Sequence, residues 1–270
     1  MRPTLLKLGG ELLENEQKIA AVARAIARAT GPLVVVHGGG KEIDAALAAA
    51  GIAKRQVDGL RVTDAATLDI VVSVLAGAIN TRFVAAINGA GGMAVGLTGA
   101  DAGVAPVKKA PAHRATNGEL VDLGLVGEPA RAASPALVSL LISRGFIPVI
   151  ACIGAAKNGQ LFNVNADTLA GSLAARLGAS RLVIAGGTPG VLDEQGQTIS
   201  ALAPRDVRAL VKSGTASAGM VAKLTACVAA ARGGVKHVVV VDGRDAKFLG
   251  QMLALKANEA ATMAGTRVTS

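Results

Sequence analysis

Short, solid apolar runs alternate along this chain with longer stretches whose apolar residues recur at helical spacing. Leu33-Val34-Val35-Val36 is one such run, three of its residues β-branched, and reads as a strand buried on both faces. Similar runs predict strands at 4–8, 33–37, 93–97, 147–151, 182–185 and 237–242. Apolar residues three and four apart, as at Ile43, Ala46, Leu47 and Ala50, predict helices over 15–29, 41–50, 65–86, 135–143, 167–178, 204–213 and 219–233. Asn158-Gly159, between 151–154 and 160–164, predicts a hairpin; a second is expected over 191–199 around Gln195-Gly196. The alternation defines an α/β protein, a three-layer sandwich with an open, mostly parallel sheet and helices on both faces. The softest boundary follows Gly178 and separates an N-terminal lobe, 1–178, from a C-terminal lobe, 179–270.

The ends of the predicted strands are rich in glycine. Lys7-Leu8-Gly9-Gly10 closes the first and His37-Gly38-Gly39-Gly40 the second, while Thr98-Gly99-Ala100-Asp101 and Gly186-Gly187-Thr188-Pro189-Gly190 follow two others. Ligands of open α/β sheets bind beyond the carboxyl ends of the strands. Three glycines between a buried strand and a helix expose successive N–H groups at a helix N-terminus, which suits a phosphate or a carboxylate. The alternative is a tight turn that needs glycine for its backbone angles.

Composition narrows the function classes. Half of the 270 residues are hydrophobic, yet there are four Phe and no Tyr or Trp, so base-stacking platforms are scarce. No uninterrupted apolar run reaches the ~18 residues of a membrane span; the stretch 146–156 is broken by Pro148 and Gly154. Cys152 and Cys227 lie far apart in apolar surroundings, as buried thiols of a reducing compartment do. A soluble, cytoplasmic protein without nucleic-acid or membrane partners is expected. The net charge of +9 is scattered and reads as a field for an anionic substrate; its densest patch, Lys108, Lys109, His113 and Arg114, falls in an expected loop.

No P-loop, zinc or dinucleotide fingerprint occurs in the right context. Gly89-Ala90-Gly91-Gly92-Met93-Ala94 fits the loose dinucleotide spacing but follows a helix and precedes a strand. Polar residues in apolar surroundings remain: Asn163, Asn165 and Asp167 at a strand-to-helix junction, Lys223 in an Ala/Val-rich helix, and Arg61 before a helix capped by Thr63 or Asp64. Capping accounts for one of the first three, not for all.

Lys7-Leu8-Gly9-Gly10, His37-Gly38-Gly39-Gly40, Gly59-Leu60-Arg61-Val62-Thr63, Val121-Asp122-Leu123-Gly124-Leu125-Val126-Gly127-Glu128, Asn163-Val164-Asn165-Ala166-Asp167 and Gly219-Met220-Val221-Ala222-Lys223 occur in this order over nearly the whole chain. Together they resemble the amino-acid kinase family, and 121–128 favours its members acting on N-acetyl-L-glutamate. The resemblance implies ATP-dependent phosphorylation of that substrate's side-chain carboxylate, the second step of arginine synthesis. It implies that Lys7 stabilises the transferring phosphoryl group, that Lys223 holds the leaving phosphate, and that Asp167 orients both lysines. Gly39 and Gly40 would donate to substrate, Arg61 would clamp its α-carboxylate and Asn163 would hold its acetamido group. Gly9, Gly10, Gly187, Thr188, Gly190, Gly219 and the stretch 215–223 would contact nucleotide, with Mg²⁺ carried mainly by ATP. The family pattern is broken at Gly187, where many relatives have an acidic or hydroxyl residue, and at Ala100, where a lysine is common. With no helical extension before the first strand, a homodimer without arginine inhibition is expected. The competing expectations are a kinase of an N-blocked aminoadipate, a carbamate or aspartate kinase, or a non-catalytic sensor.

Overall fold

A computed structural model describes residues 2–130, 135–212, 218–255, 259 and 264–269. Its N-terminal elements are β1 (Thr4–Leu8), α1 (Glu16–Ala27), β2 (Leu33–His37), α2 (Gly40–Ala49), β3 (Gln56–Val57), β4 (Leu60–Arg61), α3 (Ala65–Val72), α4 (Asn80–Gly89) and β5 (Ala94–Thr98). A small-strand region follows: β6 (Val107–Lys109), β7 (His113–Arg114), β8 (Leu120–Val121) and β9 (Val126–Pro129). Then come α5 (Ala136–Ser143), β10 (Ile147–Ala151), β11 (Ile153–Ala155), β12 (Leu161–Val164) and α6 (Ala166–Arg176). The C-terminal part holds β13 (Arg181–Gly186), β14 (Ala201–Leu202), α7 (Pro204–Lys212), α8 (Ala218–Arg232), β15 (His237–Asp242), α9 (Ala246–Ala254) and β16 (Thr266–Val268).

Eight strands form one sheet in the order β14-β16-β15-β13-β1-β2-β10-β5. The six from β15 to β5 run parallel, and β16 turns antiparallel against β15. β2, β13 and most of β1 are buried, which is why their sequences are solid apolar runs rather than alternating ones. Each fully buried Val, Leu or Ile contributes about 1.5–3 kcal/mol of transfer free energy. β1 pairs β2 on one side and β13 on the other, placing Lys7 beside Val36 and Ile184. The chain leaves this central strand toward opposite halves of the sheet, and such a divergence opens a crevice at the carboxyl ends. The sheet runs unbroken across residue 178, through the β1–β13 pair.

The expected strands are present within a residue or so, and the Asn158-Gly159 hairpin joins β11 to β12. The expected hairpin around Gln195-Gly196 is a short one, a Leu192–Thr198 bridge flanked by an Asp193 N–H to Gln197 carbonyl bond of 2.9 Å and an Ile199 N–H to Val191 carbonyl bond of 2.8 Å. The patch at 108–114 lies on β6 and β7 rather than in a loop. Lys109 pairs with Asp122 and His113 with Asp58, so part of its charge is neutralised locally. The helical span from Ala65 to Gly89 contains a π-helical segment, Ser73–Ile79, between α3 and α4. By length and composition this span could cross a membrane, its most apolar stretch having a mean hydropathy of 1.9 and only a third of it being buried. Its inner face, with Val71, Leu75, Ile79, Phe83 and Ile87, belongs to the core.

Candidate active site

Lys7 is the last polar residue of β1 before Gly9-Gly10 and is buried. Its Nζ lies 2.9 Å from Asp167 Oδ1, both side chains about a tenth exposed. Asp167 sits in the first turn of α6, where the helix N-terminus favours a carboxylate. Asn165 caps that helix, its Oδ1 accepting the Thr168 N–H at 3.0 Å, so Asp167 is not needed as a cap. Asp167 Oδ1 is buried without an aligned hydrogen bond and is held by charge alone.

Lys223 reaches the same place from α8. Helices α6 and α8 pack so closely at Gly171 that a Cβ there would stand 2.7 Å from the Ala226 carbonyl oxygen. Burial lowers the Lys223 pKa, the charge of Lys7 adds to the fall, and Asp167 and Glu11 oppose it. Two lysines and one carboxylate thus meet at the carboxyl end of the central strand.

The glycine turns form the floor. A Cβ on Gly10 would stand 3.0 Å from Gly39 Cα and 3.1 Å from Gly40 N, so the two turns touch backbone to backbone. None of Gly38, Gly39 and Gly40 has positive φ, which removes the tight-turn explanation for the triplet. Close approach is the reason at Gly39, where a Cβ would collide with Ile79 of the π-helical segment; a Cβ on Gly40 would meet open space. The Gly38 N–H bonds to the Leu8 carbonyl at 3.4 Å, and the Gly9 N–H to the Ala185 carbonyl at 2.9 Å. Gly9 therefore contributes an absent side chain, not the donor the sequence suggested. The N–H groups of Gly10, Gly39 and Gly40 make no hydrogen bond among the described residues.

Behind Gly38, His37 is fully buried. Its Nδ1 faces the Gly38 carbonyl at 3.2 Å and its Nε2 faces Asn80 Nδ2 at 3.0 Å, a pattern satisfied by the Nδ1-protonated tautomer. Burial lowers its pKa to about 4, so it is neutral. Cys152 lines the cleft, and burial pushes its thiol up to about 12. It is no thiolate nucleophile at neutral pH.

Arg61 and Asn163 close the far side of a cleft of about 260 Å³, a size for a small metabolite. Arg61 stands at the end of the β3–β4 hairpin, whose turn residues Asp58 and Gly59 both have positive φ. Two positive φ values are the mark of a type I′ turn. Asp58 ties the hairpin to the next one by accepting from His113 Nε2 at 2.8 Å and from Thr116 N and Oγ1 at 3.0 and 2.9 Å. Arg61 Nη2 contacts Asp44 closely and donates to the Gly40 carbonyl at 3.3 Å. Its Nη1 is buried with no hydrogen-bond partner. Asn163 arrives on β12, beside Val126 of β9, and donates from Nδ2 to Thr63 Oγ1 at 3.2 Å. Asp64, not Thr63, caps α3.

The C-terminal turn divides. Gly187 donates its N–H to Glu11 Oε1 at 2.7 Å, and Thr188 Oγ1 is buried without a hydrogen-bond partner. Gly190 is buried against Thr266 and Thr198, where a Cβ would come within 2.6–2.7 Å of both, so packing explains it. Gly219 lies in the exposed first turn of α8; Thr215 falls at 213–217, outside the described residues. The turn after β5 does not border this cleft, because β5 is the sheet edge, three strands from β1, and its turn faces α4. That puts Ala100 away from the lysines. Glu11 and Asp44, which the sequence did not single out, border the site. An acidic residue directly after Gly-Gly at a strand end was the available signal for Glu11.

Free N–H donors, two lysines and an arginine beside a positioned carboxylate can hold two anions and stabilise charge moving between them. This fold and site define a family. The chain belongs to the amino acid kinase family, whose model matches residues 2–242. More particularly, it is similar to acetylglutamate kinases: 42% identical to that of Parvibaculum lavamentivorans over 252 residues, covering 90% of this chain and 82% of the other. The acetylglutamate kinase of Azoarcus sp. is 47% identical over 213 residues, 78% and 71% of the two chains. Among solved structures, N-acetylglutamate synthase from Neisseria gonorrhoeae superposes with a TM-score of 0.81 at 24% identity, over 100% of this chain and 59% of that one. Carbamate kinase from Giardia lamblia gives 0.67 at 15%, over 99% and 98%. These likenesses show the fold.

Proposed function

We propose that this protein transfers the γ-phosphoryl group of ATP to the side-chain carboxylate of N-acetyl-L-glutamate, giving N-acetyl-L-glutamyl 5-phosphate for arginine synthesis. The observation that carries this reading is the Lys7–Asp167 pair, with Lys223 beside it, at the end of the central strand. It lies next to bare glycine turns in a chain 42% identical to an acetylglutamate kinase.

A side-chain carboxylate is ionised at neutral pH and needs no general base. The obstacle is repulsion between its oxygen and the phosphate oxygens, so catalysis rests on placed positive charge and on alignment. The carboxylate oxygen forms a bond to the γ-phosphorus while the bond from that phosphorus to the β–γ bridging oxygen breaks, the electron pair leaving with ADP. Lys7 stabilises charge on the transferring group, and Asp167 holds Lys7 at the end of β1. Lys223 faces the leaving phosphate. Gly10, Gly39 and Gly40 supply free N–H donors. Arg61 Nη1 is an uncommitted buried donor suited to the α-carboxylate, with Asp44 fixing the other end of the guanidinium. Asn163 is placed for the acetamido group. Gly187, Thr188 and the start of α8 at Gly219 form the nucleotide side, so the lobe 1–178 takes the acylated amino acid and 179–270 takes ATP.

Among the described residues no group of three or more His, Cys, Asp or Glu could hold a metal. Among the described residues Glu11 and Asp167 are the carboxylates that act on Lys223, a sparse set that suits a Mg²⁺ arriving with the nucleotide and keeping most of its waters. Such an ion would supply neutralisation of the phosphate charge. Two buried free thiols accord with a cytoplasmic enzyme. The apolar helical span 65–89, only a third of whose most apolar stretch is buried, lies beside edge strand β5 and supports a homodimer built on that face. Ala78→Glu on the exposed face should give monomers by light scattering; an unchanged mass would remove this face from the interface.

Hydroxylamine trapping of acyl phosphate tests the activity across N-acetylglutamate, N-acetylaminoadipate, glutamate, aspartate and carbamate. The hydroxamate of N-acetylglutamate should form fastest and need both ATP and Mg²⁺. Faster turnover of N-acetylaminoadipate would move the substrate assignment, and no hydroxamate from any acceptor would overturn the kinase reading.

A further inference from the structure

Glu11 has no task in the transfer described above, yet it occupies the phosphate end of the cleft. It follows Gly9-Gly10 on the short turn Gly10–Leu12. Its carboxylate lies over Gly9 so closely that a Cβ on Gly9 would collide with both oxygens. Oε1 accepts the Gly187 N–H at 2.7 Å. A Cβ on Gly186 would stand 3.1 Å from Lys223 Nζ and 3.3 Å from Glu11 Oε1, so the ammonium and the carboxylate flank one point. Bare glycine on two strand ends, a backbone donor and a lysine therefore surround an anion, and that anion belongs to the protein.

A carboxylate and a phosphate make the same demands: negative charge, acceptor oxygens, N–H donors and a cation. They cannot share one nest, because like charges at contact distance repel strongly where water is excluded. We propose that Glu11 is the built-in occupant of the nucleotide-phosphate cradle, and that an incoming nucleotide must displace it, so that this residue sets how tightly the site holds nucleotide. The inference rests on reading this end of the cleft as a nucleotide site. Displacement gives up the charge-assisted bond to Gly187 and the attraction to Lys223, and leaves a carboxylate close to the phosphates. The penalty is larger for bare nucleotide than for the magnesium complex, whose phosphate charge is partly neutralised. Glu11 thereby favours the metal-bound form and speeds loss of product.

Glu11→Gln keeps an acceptor for the Gly187 N–H and removes the charge; Glu11→Ala removes both. ADP binding is measured by calorimetry on the full chain, in EDTA and in Mg²⁺, alongside N-acetyl-L-glutamate binding and the thermal midpoint. In EDTA, Glu11→Gln should bind ADP about tenfold more tightly than wild type, the size of one charge-assisted hydrogen bond. The gain should be smaller in Mg²⁺, and N-acetyl-L-glutamate affinity should stay within twofold. A purely structural role would leave ADP affinity unchanged or weaken it. Unchanged or weaker ADP binding in EDTA for both variants would overturn the proposal while leaving the kinase reading intact. Wild-type protein that binds no ADP in either buffer would overturn both.

Discussion

Replacing Lys7 by methionine separates what the Lys7–Asp167 pair does for the fold from what it does for chemistry. The two side chains are about a tenth exposed and 2.9 Å apart. Methionine keeps most of the apolar stem and deletes the charge, leaving Asp167 buried with Lys223 as its remaining cation. Orphaning one member of a buried pair costs about 3–5 kcal/mol. Spread over a chain of this size, that lowers the thermal midpoint by roughly 5–9 °C. Adding Asp167→Asn removes the orphaned charge, so the double variant should recover much of that loss. Activity should respond differently. In the proposed mechanism Lys7 acts on charge that develops during transfer, and losing one such contact should lower kcat about 10²–10³-fold. The double variant should be at least as slow, because neutralising Asp167 restores no cation. Hydroxamate formation gives kcat, and scanning calorimetry with circular dichroism gives stability. A single variant within a few-fold of wild-type kcat would refute the role of Lys7. A double variant that regained activity along with stability would show that the lysine served the fold alone.

Arg61→Ala should raise KM for N-acetyl-L-glutamate by the equivalent of about 2–4 kcal/mol with a smaller change in kcat; initial-rate kinetics showing an unchanged KM would remove Arg61 from the substrate site. Gly39→Ala drives a methyl into Ile79 and should destabilise the protein by about 1–3 kcal/mol, as overpacking does; denaturant titration finding wild-type stability would contradict the close packing at that turn. His37, held neutral with a pKa near 4, should make stability fall with acid. The unfolded imidazole takes a proton near pH 6.5 and the folded one only near pH 4, so its contribution is present above pH 6.5 and is lost as pH falls to about 4. The size is on the order of 3 kcal/mol. His37→Gln should have a flatter stability profile across that window, and parallel profiles for the two proteins would exclude the effect.

The parallel sheet was legible because burial on both faces leaves β2, β13 and β15 as solid apolar runs bounded by glycine. That signal is local and needs no partner to be read. The glycine turns and Lys7, Asp167, Lys223, Arg61 and Asn163 were also visible, as charge or bare backbone in surroundings that otherwise exclude both. The Asp58-Gly59 turn is as strong a hairpin signal as Asn158-Gly159, but strands of two residues carry too little hydrophobic pattern to flank it. Distances across the chain were not legible. Lys7 and Asp167 are 160 residues apart and meet because β1 lies at the centre of the sheet and α6 begins at its carboxyl edge. The reason for glycine at 39 also came from far away in sequence, from Ile79 on a π-helical segment, and that for Gly10 from the backbone of the neighbouring turn. The donors divided the same way: the Gly9 N–H went to Ala185 while those of Gly10, Gly39 and Gly40 stayed free. Amino-acid sequence alone determined which groups could bind an anion, since charge and the absence of Cβ are properties of single residues. Tertiary structure decided which of them face one point and that Glu11 shares the cradle, since hydrogen bonds and repulsions depend on separation in space.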